Sequence, residues 1–376
     1  MTISLTQHAL HRRNALKLLG ALGVGMATPL AWHDVARVAA AQDDAAWAGE
    51  PDIAKAAEQA KDFQTYGMPD DWANYGGVLK AFSKKYGFPV NRVDTDMTSI
   101  QEITKYDAEK NNPVAVSSDI GLIYGPIAEE VGVVPPYLPP SAESLPANLR
   151  GTEGGWVATF TGVPAIIVNT DVISTVPETW DDLLGEEFTG KIGMRDPRTA
   201  GEGAAAFLAW AYANGGSEND LAPGIAFAQQ FLPQFAAKEG LPELEKGEIP
   251  VAIKYDFNAL AWAAAVQEKG INTAVVIPGV SVYAPSALMI NRYNTAKADL
   301  AKLLIDFVLS DEAQTAFAEF GARPIRYVLG DLELPETAKE KWLADDLYAD
   351  VVQVQDWTKV DANTLAELWD VEVLGG

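Results

Sequence analysis

The 376-residue chain contains no cysteine and only three histidines, His8, His11 and His33, all near its amino terminus. Without thiols it forms no disulfide. Without imidazole beyond the first segment, it builds no Ser-His-Asp or Cys-His nucleophile system and no zinc site of the usual ligands. Bases are also scarce, with 28 Lys and Arg facing 52 Asp and Glu for a formal net charge of -24. Nucleic acid and anionic membrane surfaces require clustered cations, so neither is an expected partner. No apolar run is long enough to cross a bilayer: the stretch 18–32 contains Pro29 and falls short of the roughly 20 residues a span needs. What the chain does have is 48% hydrophobic and 21% charged residues, enough apolar mass for two globular domains and too much for disorder.

The amino terminus reads as an export signal. Arg12-Arg13 precede Leu16, Lys17 and the apolar stretch, a twin-arginine pattern, and Ala39-Ala40-Ala41 supplies a small-residue cleavage site. Residues 1–41 are therefore expected to be removed, with a mature start at Gln42. The removed segment carries one acid and four bases, which leaves 51 acids and 24 bases. An exported chain with no anchor and no cysteine to carry a lipid points to the periplasm.

Residues 42–62, Ala-rich and acidic, read as a leader. Beyond them one theme repeats: a short apolar run, a polar or Gly-containing loop, then a helical pattern. Strands are expected at 63–66, 90–93, 114–116, 191–194, 251–254 and 274–278, with extended stretches at 156–161 and 163–169 joined at Gly162. Helices are expected after Thr98-Ser99, over 204–213, over 258–269 and over 295–320. The alternation predicts an α/β architecture with mainly parallel sheets, whose ligands sit beyond the carboxyl ends of strands.

Three motifs carry no chemistry. Gly185 to Lys191 has P-loop spacing, but Ile192 stands where a hydroxyl must hold magnesium, and the run leads into a strand. Asp94-Thr95-Asp96 starts like a calcium loop, but Lys105 occupies the place of its bidentate glutamate. Paired carboxylates (Asp70-Asp71, Glu129-Glu130, Asp181-Asp182, Glu186-Glu187) would serve a hydrolase only if two faced one cleft, and adjacent acids usually decorate surfaces and helix starts. No cofactor or metal is expected. The residues at strand-to-helix junctions are the candidates for a ligand site: Tyr66, Gly67 and Met68; Thr98 and Ser99; Ser118 and Asp119; Thr199, Ala200 and Gly201; Tyr255 and Asp256; and Tyr283.

The segments 79–87 (LKAFSKKYG), 176–184 (VPETWDDLL), 190–197 (GKIGMRDP), 304–314 (LIDFVLSDEAQ) and 322–326 (ARPIR) together resemble the type 2 periplasmic solute-binding proteins of ABC importers, near their ferric-iron and organophosphate binders. The resemblance implies a two-lobed fold with two hinge-crossing strands near 161–169 and 278–283. Lobe 1 would comprise 63–162 and 279–376, and lobe 2 would be 163–278. It also implies a monomer that binds a small-molecule solute, catalyses nothing, and docks on a membrane permease. Iron binders of this kind usually offer adjacent tyrosines, and this chain has none, although Tyr66, Tyr124, Tyr255 and Tyr283 remain possible ligands. An organic anion would use the helix starts at Thr98-Ser99 and Thr199-Ala200-Gly201 with Arg198. An organic cation would use Asp119, Asp256 and an aromatic wall of Trp156, Tyr124 or Tyr255. Both ligand classes stay open at this stage, with ferric iron and a carboxylate-dependent hydrolase as alternatives.

Overall fold

The computed structural model describes residues 44–236 and 238–375; the expected export signal, its cleavage site and Gln42 lie outside them. The strands are β1 (Gln64–Tyr66), β2 (Asn91–Val93), β3 (Ser117–Gly121), β4 (Trp156–Gly162), β5 (Pro164–Asn169), β6 (Ile192–Gly193), β7 (Val251–Tyr255), β8 (Thr273–Val276), β9 (Ser281–Ile290), β10 (Arg323–Pro324) and β11 (Val351–Gln353). They form a seven-stranded sheet of order β10-β4-β9-β3-β1-β2, with β11 on β9, and a four-stranded sheet of order β6-β7-β5-β8.

The chain divides into two compact units. The first comprises residues up to Pro69, Val78–Ala158 and Ala287–Ala313; the second comprises Asp70–Gly77, Thr159–Ser286 and the chain from Gln314 onward. The chain passes between units within β4, after Ala158, and within β9, after Ser286, rather than at 161–169 and 278–283 as expected, and it also does so after Pro69, Gly77 and Ala313. Of the residues expected in lobe 1, 70–77, 159–162, 279–286 and 314–375 fall in the second unit, where Trp369 packs on Phe207 and Phe235 (ring centroids 5.9 and 6.1 Å).

In the first unit, β1 pairs in parallel with both β2 and β3. The helix Tyr75–Tyr86 ends at Gly87, whose positive φ of 80° suits only glycine and whose N–H bonds Ser83 O at 2.8 Å. Phe82 packs against Phe63, Phe88 and Phe307 at 5.4 to 6.4 Å, so aromatic contact joins helix to helix and helix to sheet. The single helix expected over 295–320 is two, Ala298–Phe307 and Asp311–Phe320, because Ser310 Oγ accepts the Ala313 N–H (3.3 Å) and starts the second. The expected leader also differs from the structure: Ile53–Gln59 is helical, Trp47 is buried, and Lys302 Nζ donates to the carbonyls of Ala48 and Gly49.

In the second unit, β5 is buried along its whole length and runs antiparallel to β7 and β8, while β6 and β7 are parallel, so this sheet is mixed. A strand covered on both faces needs a continuous apolar run, and Ala165-Ile166-Ile167-Val168 supplies it. Helix Asp256–Gln267 lays Ala259 and Val266 against Ile167 and Ala252. Helix Gly201–Ala213 is buried over most of its length, and its Trp210 packs on Trp180, Phe227 and Phe231.

Candidate functional site

The first unit gathers seven of the expected residues around the carboxyl end of β1. Gly67 and Met68 both have positive φ (62° and 54°), and this turn points the Met68 N–H at Asp119 Oδ1, 2.7 Å away. A Cβ on Gly67 would collide with Glu102 Oε1 and lie 2.7 Å from Asp119 Oδ1, so only glycine fits between these two carboxyls. Helix Ser99–Ala108 starts beside them. The Thr98 N–H donates to Gln101 Oε1 (2.8 Å), and Ser99 Oγ accepts the Gly121 N–H (3.1 Å). Tyr66 is buried and its hydroxyl donates to Glu109 at 2.5 Å; burial first, and Glu109 second, push its pKa up, which opposes the phenolate an iron ligand requires.

One placement corrects the expectation. Ser117 to Asp119 were expected to end a strand over 114–116; instead β3 begins at Ser117, because pairing with β1 starts at Thr65 and Ser117. Ser118 is thus in mid-sheet, and its Oγ donates to the buried Tyr106 hydroxyl (2.6 Å) rather than facing a loop. Tyr124, just past β3, and Trp156, at the start of β4, are both buried. Trp156 is buried with its ring on Gly125, where a Cβ would meet Cε2 at 2.6 Å, and its indole N–H donates to Glu129 Oε1 (2.8 Å).

In the second unit, Thr199, Ala200 and Gly201 open helix Gly201–Ala213, and Ala200 at the cap position offers no side chain to the first N–H groups. Glu202, in the first turn, is buried; its Oε2 accepts from Lys254 Nζ (2.7 Å) and its Oε1 from the Tyr255 N–H (2.9 Å). Arg198, the expected anion partner, is engaged instead with Asp196 and Asp370, at 2.6 and 2.7 Å. Tyr255 is buried against Trp72 and Phe257 at 5.9 and 5.6 Å.

Asp256 is expected as a cation partner, and its surroundings do not match that role. The helix starts at Asp256 itself, not near Asn258, and the carboxylate is 1% exposed. Oδ1 accepts the Val163 N–H (3.0 Å), and Oδ2 accepts Arg323 Nη1 (3.1 Å) and the Tyr348 hydroxyl (2.6 Å). The Arg323 guanidinium lies 3.5 Å from the Tyr348 ring centroid and 4.6 Å from that of Trp342. Burial pushes the Asp256 carboxyl up, with Arg323 and these hydrogen bonds opposing. Tyr283, half-buried, stacks on Tyr348 at 6.4 Å.

Of the expected residues, Thr98, Asp119, Thr199, Gly201 and Tyr283 keep partial exposure, and the others are buried. The exposed set is two helix starts, one carboxylate and one phenol. Glu102, Glu202, Lys254, Arg323 and Tyr348 were not anticipated. Lys254 alone had a signal, as the one charge in the all-buried strand Val251–Tyr255.

The chain matches the family model described as bacterial extracellular solute-binding protein over residues 125–350. A curated relative, the putative 2-aminoethylphosphonate-binding periplasmic protein of Salmonella typhi, is 26% identical over 217 residues; the alignment covers 54% of this chain and 63% of the relative, so it spans less than two thirds of that protein. Among solved structures, the periplasmic binding protein AfuA from Actinobacillus pleuropneumoniae, bound to fructose-6-phosphate, superposes with a TM-score of 0.65 at 19% identity. That match covers 84% of this chain and 98% of AfuA. The ferric binding protein from Campylobacter jejuni gives 0.60 at 20% identity, over 82% of this chain and 98% of its own. These likenesses show the type 2 periplasmic binding protein fold, and the family match extends over more than half of the chain, which therefore belongs to the bacterial extracellular solute-binding protein family.

Proposed function

We propose that the protein is the solute-capturing component of an ABC importer, and that its solute is a small organophosphorus anion carrying a protonated amine. The observation that carries the solute class is the uncapped start of helix Gly201–Ala213, where Thr199 and Gly201 keep partial exposure and Ala200 leaves the first N–H groups to other acceptors. Such groups, with the positive end of the helix dipole, favour a phosphonate or phosphate. The relative named for 2-aminoethylphosphonate and the fold neighbour solved with fructose-6-phosphate support the same class.

In this reading the chain is exported by its twin-arginine segment, works as a monomer in the periplasm and delivers solute to an inner-membrane permease without catalysing a reaction. A thermal-shift and calorimetric panel tests it with 2-aminoethylphosphonate, fructose 6-phosphate, putrescine, thiamine and ferric citrate. Solute at a hundred times its dissociation constant adds about 2.7 kcal/mol to stability. The phosphonate should give the shift. Stabilisation by putrescine or ferric citrate alone, or turnover of a phosphoester, would refute the proposal.

A further inference from the structure

Glu102 is a buried carboxyl with no salt-bridge partner among the described residues. It is 1% exposed, and its Oε2 has no hydrogen-bond partner among the described residues. Its Oε1 and Asp119 Oδ1 converge on the same face of Gly67, where the missing Cβ leaves just enough room for both. From β3, Asp119 is the charge acting on it; from its own helix, Tyr106 stands one turn on, with its hydroxyl held by Ser118. The nearby Lys105 is drawn away to Asp94 and Glu109, over the Tyr66 ring. Two ionised carboxylates so close, one without solvent, repel strongly, and one bound proton removes the repulsion.

We propose that Glu102 and Asp119 form a proton-binding carboxyl pair beneath the Gly67–Met68 turn, in which a proton held by Glu102 removes its repulsion on the Asp119 carboxylate and so positions the turn. Asp119 is partly exposed, so the proton leaves through it to water, and two carboxylates remain. With both ionised, Asp119 is pushed from Glu102 and the Met68 N–H loses its geometry. Burial first, and Asp119 second, raise the Glu102 pKa well above the ordinary glutamate value. For an acid raised on folding, the stabilisation is complete at low pH and is lost as pH rises through the folded-state pKa. The turn is therefore set below the folded-state pKa of Glu102 and released above it. The proton site does not rest on the proposed function.

The Met68 amide, hydrogen-bonded to Asp119, is the reporter. In ¹⁵N spectra of the full mature chain, its shift should move in one step with a midpoint above the ordinary glutamate range. That step should vanish in Glu102→Gln, which keeps a donor but cannot ionise, and fall to lower pH in Asp119→Asn. A flat Met68 shift over the whole pH range in which the chain stays folded, or a step that survives Glu102→Gln, overturns the proton site.

Discussion

Replacing Asp256 with asparagine separates a structural carboxylate from one that meets solute. The side chain bonds three donors, and its counter-charge Arg323 is 5% exposed, so the substitution leaves a buried guanidinium without its anion. Asparagine keeps one carbonyl oxygen, which can serve Val163 or the Arg323–Tyr348 side but not both, and its NH2 then faces a donor. Removing one partner of a buried ion pair costs about 3 to 5 kcal/mol. The stacking of Arg323 on Tyr348 and Trp342 is common to both proteins and cancels in the difference. The expected loss is thus about 3 to 5 kcal/mol, read as a lower urea midpoint by circular dichroism. Combining Asp256→Asn with Arg323→Met removes both charges, and the double variant should be more stable than Asp256→Asn alone, with a coupling of about 2 kcal/mol. If Asp256→Asn costs less than about 0.5 kcal/mol, the carboxylate is hydrated, the network reasoning fails, and Asp256 returns as a cation partner.

Gly67→Ala adds a Cβ at a φ of 62° against two carboxyls, whereas Gly87→Ala meets the same backbone penalty at 80° in open space. Chemical denaturation should show about 1 kcal/mol lost at Gly87 and clearly more at Gly67; equal losses would mean that Glu102 swings aside freely. Lys254→Met strands Glu202, 4% exposed, with only the Tyr255 N–H as partner. It should lower stability by about 3 to 5 kcal/mol in urea titration, and adding Glu202→Gln should recover a substantial part; a neutral single variant would show that water reaches this pair.

Much of the architecture is legible in the sequence, because periodicity and punctuation act locally. The apolar run Ala165 to Val168 announces a buried strand, and Gly162 marks the joint between β4 and β5. Thr98-Ser99 and Thr199 to Gly201 likewise mark helix starts by residue type alone. The break at Ser310 was missed, although Ser-Asp-Glu is a helix-opening pattern.

The polar partners were not legible. Asp256 lies 67 residues from Arg323 and 92 from Tyr348, and no local pattern says that these three meet; Asp256 alone reads as a cap or a ligand. Glu102 reads as a solvated helix residue until β3 brings Asp119 onto the same side of Gly67. Residue type and spacing determine which face of an element is apolar, and with that the α/β class and most element positions. Which strand ends converge, and whether a carboxylate there finds a cation, another acid or water, is decided only when distant segments pack, because the cost of burying a charge depends on partners that lie far away along the chain.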